Sequence, residues 1–141
     1  MPKRAESLRV KLEGSETIIL VEDEDAVRVL VQRVLETKGY KVLVASGPEE
    51  AAQICDRYEG PIDLLLTDVV MPTMSGHQLA EHLSFSRPQM KVLYMSGYTD
   101  DKVLLRGVLE SAAHFIQKPF NPDAIVWKVA EVLSPLREGK S

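Results

Sequence analysis

An alternation constrains this chain more than any other feature. Five short apolar runs, several rich in β-branched residues, occur at TIILV (17–21), KVLVA (41–45), DLLLT (63–67), KVLYM (91–95) and HFIQ (114–117). Their lengths suit buried strands, and every run is followed by a stretch long enough for a helix. Five strand–helix repeats imply an α/β domain with a parallel sheet, helices on both faces and right-handed crossovers. Periodicity does not give the strand order.

The intervening stretches carry helical spacing. Over roughly 25–38, Val27, Leu30, Val31 and Val34 are predicted to share one face. The second helix opens at Ser46-Gly47-Pro48, with proline in the turn that tolerates it, and Ala51, Ile54, Cys55 and Tyr58 share a face. The third follows Ser75-Gly76, with Leu79 and Leu83 one turn apart. A fourth is predicted over roughly 100–110 through Leu104, Leu105, Val108 and Leu109. The fifth starts at Asn121-Pro122 and runs through Ile125, Val129, Val132 and Leu133. Gly39-Tyr40 and Gly60-Pro61 mark turns. Residues 1–15 read as a linker or leader, 16–134 as one domain, and 135–141 as a tail.

Composition narrows the function classes. A net charge of −4 argues against general nucleic-acid binding. No apolar run reaches the ~20 residues of a membrane span, and the polar start lacks a secretory signal core. The single cysteine, Cys55, excludes an internal disulfide and fits a cytoplasmic setting.

The unusual polar residues follow the strands. Glu22-Asp23 follow the first, Asp68 the third, Ser96-Gly97 the fourth and Lys118-Pro119 the fifth. In open parallel sheets, sites form beyond the carboxyl ends of strands. Glu22, Asp23, Asp68, Ser96 and Lys118 are therefore expected to converge. Clustered carboxylates repel: two unit charges ~5 Å apart cost on the order of 3 kcal/mol at an effective dielectric of about 20. A hard cation such as Mg²⁺ relieves this. Taken alone, Glu22 and Asp23 are equally well read as acids at a helix N-terminus. Asp68 is not, because Val69-Val70-Met71-Pro72 offers no helix to cap. Lys118 facing the acids would be a counter-ion and phosphate binder.

At these residues the chain resembles the response-regulator receiver family of two-component systems. LVEDED (20–25), DLLLTDVVMPTMSG (63–76), YMSGYTDD (94–101) and FIQKPF (115–120) carry the likeness, which covers about 16–134. The resemblance implies a doubly wound, flavodoxin-like (βα)₅ fold with strand order 2-1-3-4-5. It implies that Asp68 is the phosphoacceptor and that Asp23, Asp68 and the backbone carbonyl of Val70 ligate Mg²⁺, with Glu22 acting through bound water. Lys118 would pair with Asp68 and then with the phosphoryl oxygens, Ser96 would bond the phosphoryl group, and Phe115 would be the aromatic switch. The Lys118-Pro119 bond is often cis in the family. Val70 and Tyr98 would flank the hydrolytic water, and their apolar and aromatic character predicts slow autodephosphorylation.

The implied partner is a histidine kinase or histidine phosphotransfer domain, and the output is a re-shaped surface of the fourth helix, fifth strand and fifth helix. That surface is also a candidate homodimer face, with Val126 or Trp127 contributing. No contact with nucleic acid or membrane is expected, and no enzymatic activity beyond the domain's own phosphorylation and dephosphorylation. The texture of TDVVMPTMSG and MSGYTDD resembles receivers of hybrid sensor kinases; a stand-alone single-domain regulator is the alternative. A Mg²⁺-dependent phosphatase of the haloacid dehalogenase type fits less well, since Val70 stands where such enzymes place a second acid. A flavin carrier would need phosphate-binding donors where the first loop has acids. A phosphorylation-blind scaffold sits poorly with an intact Glu22, Asp23, Asp68, Ser96 and Lys118 set. His77, His82 and His114 lack a metal-ligand arrangement, and Cys55 reads as inert core.

Overall fold

The computed structural model describes residues 14–97 and 114–134. Five parallel strands, β1 (Thr17–Val21), β2 (Lys41–Ala45), β3 (Leu64–Asp68), β4 (Lys91–Ser96) and β5 (His114–Gln117), form one sheet in the order β2-β1-β3-β4-β5. The doubly wound α/β architecture and the 2-1-3-4-5 order are those expected. Four helices are described: α1 (Asp25–Thr37), α2 (Pro48–Arg57), α3 (Gly76–Ser84) and α4 (Pro122–Leu133). The helix predicted over 100–110 lies outside the described residues.

Alternation along the strands sorts the core into two layers. On one face, Ile18 and Leu20 of β1 and Leu64 and Leu66 of β3 pack with Val31 and Leu35 of α1 and Ile125 and Val129 of α4. On the other, Ile19, Val21 and Leu65 pack with Ala51 and Cys55 of α2 and Leu79 and Leu83 of α3. A strand buried on both faces has no polar side to present, which is why β1 and β3 read as continuous apolar runs.

Local chemistry sets the element ends. Ser75 accepts from the Gln78 N–H while the Gln78 side chain accepts from the Ser75 N–H, a reciprocal cap that starts α3. Asn121 accepts from the Ala124 N–H at 2.8 Å and starts α4, with Pro122 in its first turn. Arg87 donates to the carbonyls of Cys55, Tyr58 and Gly60, closing the C-terminal end of α2. Gly39 ends the α1–β2 turn at a φ of 99°, which an L side chain rarely adopts. β3 begins at Leu64, one residue later than expected, and the Asp63 carboxylate before it accepts the Thr17 N–H at 2.8 Å. β3 and β4 each run one residue further than expected, since Asp68 pairs with Met95 and Ser96 with Gln117.

Two packing expectations are corrected. Leu30 is not on the buried face of α1: it is 48% exposed, while Leu35 is fully buried. The inward stripe is Val27-Val31-Val34-Leu35, and Leu30 falls about 100° away from Val31 around the helix. Val126 is 4% exposed and belongs to the core, so of the proposed dimer pair only Trp127, at 44%, faces outward.

Candidate functional site

The carboxyl ends of β1, β3 and β5 meet at one rim. Glu22 follows β1 and is completely buried, and Asp23 beside it is exposed. Asp68 ends β3, where its ladder partners hold the backbone, and is also buried. Carboxylate oxygens of Glu22, Asp23 and Asp68 all lie within 4.8 Å of one another. Lys118, after β5, places its Nζ 2.8 Å from Glu22 Oε1 and 2.8 Å from Asp68 Oδ1. Its peptide bond to Pro119 is cis.

The two acids are held differently. All four polar groups of Glu22 have partners. Its N–H donates to the Ala45 carbonyl, its carbonyl accepts from Arg28 Nη1, Oε1 accepts from Lys118 Nζ, and Oε2 accepts from the Glu24 N–H. One oxygen thus holds the amide of Glu24, the N-cap residue just before α1, and the other holds the lysine. Asp68 Oδ1 is buried and faces the Lys118 ammonium at 2.8 Å, its one close cationic partner among the described residues. Burial pushes the Asp68 carboxyl up to about 8 despite the lowering effect of Lys118, and the charge on Glu22 adds to the rise. Burial alone would lower the Lys118 ammonium, but Asp68 and Glu22 outweigh it and hold the pKa above the usual lysine range.

Three carboxylates whose oxygens lie within 4.8 Å of one another, two of them buried, form the donor set of a hard divalent cation. The residues present therefore fit a bound Mg²⁺, with hard oxygen ligands and room for water on the exposed Asp23 side.

The remaining expected residues flank this rim. Ser96 is buried at the end of β4, and its carbonyl accepts from the Lys118 N–H at 2.7 Å. Phe115 lies on β5 and is 36% exposed, and Val70 in the loop after β3 is 40% exposed. Tyr98 lies outside the described residues. Two residues at the rim have roles that the sequence pattern does not show. Arg28 ties the Glu22 carbonyl to Asp25. Gly76 opens α3 and also packs on the site. Its Cα faces the Asp68 carbonyl so closely that a β-carbon would overlap that oxygen, and its N–H donates to Val69 at 2.7 Å. The Ser75-Gly76 pair followed by an apolar helix marked the start of α3, but only the fold shows that the loop doubles back onto Asp68.

Comparisons with known proteins agree with this architecture. The sequence profile described as the response regulator receiver domain matches residues 18–130. The sensor kinase CckA of Brucella abortus (strain 2308) is 38% identical over 122 residues, covering 86% of this chain and 13% of that protein. The response regulator GtcR of Aneurinibacillus migulanus is 31% identical, over 87% of this chain and 48% of that protein. The chain thus spans less than half the length of these relatives. Among solved structures, a CheY-like receiver domain protein from Methanospirillum hungatei JF-1 superimposes with a TM-score of 0.77 at 28% identity, covering 91% of this chain and all of that one. The receiver domain of the hybrid histidine kinase CckA gives 0.69 at 32% identity, covering 84% and 99%. With the strand order, the acidic rim and a profile match over most of its length in agreement, the chain belongs to the response regulator receiver domain family.

Proposed function

We propose that this domain accepts a phosphoryl group from a phospho-histidine onto Asp68 beside a bound Mg²⁺. The observation that carries the proposal is the buried Asp68 carboxylate, grouped with Glu22 and Asp23 and 2.8 Å from the Lys118 ammonium. Asp23, Asp68 and the Val70 carbonyl would hold the metal, with Glu22 acting through bound water. When bound, Mg²⁺ neutralises charge on the phosphoryl oxygens.

A carboxylate oxygen of Asp68 attacks phosphorus, the P–N bond to the donor imidazole breaks, and the electron pair stays on that nitrogen. Lys118 offsets the charge gathering on the equatorial oxygens. Ser96 then donates its hydroxyl to the phosphoryl group, and Phe115, half-exposed on β5, turns toward the space so vacated. The result is a population shift in the surface built around β5. Val70 puts an apolar side chain beside the path of hydrolytic water, which with Tyr98 favours a long-lived acyl phosphate.

The donor would be a histidine kinase or a phosphotransfer domain. The similarity to CckA supports a receiver of a hybrid sensor kinase over a stand-alone regulator. Residues 16–134 would then form the receiver, with 1–15 as linker and 135–141 as tail. No described helix is long and apolar enough to cross a membrane. A cytoplasmic signalling domain without enzymatic turnover on other molecules fits these features.

Incubation with acetyl phosphate or phosphoramidate and Mg²⁺, followed by intact-mass measurement, tests the proposal. One phosphoryl group should be gained by the native chain and none by Asp68→Asn. Equal gain in both would refute it.

A further inference from the structure

The sheet ends on two strands, and β2 is the one remote from Lys118. Its residues, KVLVA, include no proline and no charge after Lys41. The Lys41 N–H donates to the Glu16 carbonyl, and the Ala45 carbonyl accepts from the Glu22 N–H. Lys41, Leu43 and Ala45 thus turn their backbone groups toward β1. By alternation Val42 and Val44 turn theirs outward, where no described residue pairs with them. Edges are normally blunted by charge, proline or a bulge, and the interior of β2 has none of these. Its Leu43 and Val44 are only half-buried.

Beside this edge runs a stripe of α2. Glu50, Gln53, Ile54, Arg57 and Tyr58 line an open groove of about 390 Å³, at the spacing of one helix face. The stripe lies along β2 in the opposite sense. Glu50 accepts from the Ser46 N–H and hydroxyl just past the strand's end, and the Tyr58 ring lies 4.9 Å from the Lys41 ammonium at its start. Leu43, Ile54 and Tyr58 pack on the same core layer. The stripe is therefore acidic at Glu50, apolar at Ile54 and basic at Arg57, and Arg57 has no partner among the described residues.

We propose that two copies of this chain pair through β2, antiparallel about Leu43, into one continuous sheet. The occupant is a second copy because both parts of the contact complement themselves. On the backbone, Val42 of each copy exchanges its two hydrogen bonds with Val44 of the other. On the helical face, the same two-fold axis sets Glu50 of each copy toward Arg57 of the other, with Ile54 near the axis. A stripe that runs from acid to base matches only an antiparallel copy of itself. β2 and β5 are opposite edges of the sheet, so pairing here leaves both Asp68 rims open and needs no phosphoryl group.

Sedimentation velocity on the full chain, without phosphodonor and over a concentration series reaching about 1 mM, tests the pairing. The native chain should move from monomer toward dimer. Glu50→Arg makes the stripe wholly basic and Arg57→Glu makes it wholly acidic, and each alone should weaken dimerisation by roughly tenfold or more. An equimolar mixture of the two variants should dimerise as the native chain does, a rescue that a folding defect would not give. Trp127→Arg, on the exposed face of α4, should leave the dimer unchanged. Amide exchange at Val42 and Val44 should slow as concentration rises. A native chain that stays monomeric, a mixture that stays monomeric, or a dimer lost in Trp127→Arg would overturn the assignment. So would Val42 and Val44 amides already protected at the lowest concentration, the result if another part of the same chain covered the edge.

Discussion

The two sides of the site are built from unlike parts of the sheet. β1 and β3 lie at its centre, every residue of each buried, and they deliver Glu22 and Asp68 at their ends. β5 is an edge strand of four residues, mostly exposed, and it delivers Phe115 and the half-buried Lys118. The central side is fixed by two ladders and two core layers. The edge side has a ladder to β4 alone among the described residues. On the proposed function the contrast assigns labour: the side that would hold a cation and a nucleophile in register is tied into the sheet on both edges, and the side that would respond to new charge is held on one.

If that division is right, truncations should separate the two sides first by stability. Leu66→Ala, in the middle of β3, should cost about 2–5 kcal/mol in urea unfolding, whereas the partly buried Ile116→Ala on β5 should cost roughly 1 kcal/mol. Equal losses would break the comparison.

Next in size is Gly76→Ala. Its β-carbon would overlap the Asp68 carbonyl, a backbone atom that cannot move without shifting the end of β3. The expected cost is about 1–3 kcal/mol, with slowed phosphorylation. Stability measured beside the rate of acyl phosphate formation reads both.

The strain of the buried nucleophile should show in pH dependence. Asp68 moves from an unfolded value of 3.8 to about 8 in the folded protein. Between those values the folded state binds more protons than the unfolded one, so this group's contribution is fullest below pH ~4 and is lost as pH rises toward 8. In metal-free buffer, Asp68→Asn should therefore gain on the native protein as pH rises from 5 to 8, by on the order of 1–3 kcal/mol. Urea midpoints across that range measure it. A native protein that keeps pace with the variant would show that Asp68 is not strained. Added Mg²⁺ should shrink the gap by stabilising only the native chain.

The smallest effect concerns lifetime. Val70→Asn with Tyr98→Glu should shorten the acyl phosphate lifetime several-fold, about 1 kcal/mol in barrier. Decay of the phosphorylated mass measures it, and an unchanged or longer lifetime would refute the role given to these positions.

Strand bounds were legible at the edges as well as at the centre: β1, β2 and β5 have the bounds expected, while β3 and β4 run on because the polar Asp68 and Ser96 continue their ladders. The five polar residues were readable as strand-end positions because nothing else accounts for an acid after IDLLLT. What resisted reading depends on side-chain direction and on distant backbone. Leu30 and Leu35 are equally apolar, and only packing against α4 decides which turns inward. Arg28 and Gly76 act on Glu22 and Asp68 through carbonyl oxygens, which leave no trace in side-chain pattern. Nor does spacing reveal that Lys118 stands equally near both acids.

The most direct measurement locates the phosphoryl group on the chain. Borohydride reduces an acyl phosphate to the alcohol, so treatment after phosphorylation should leave homoserine in place of aspartate at position 68, read by peptide mass spectrometry. The account predicts that conversion at Asp68 alone. Conversion at Asp23 or Glu22, or a phosphoryl group that resists reduction, would contradict it.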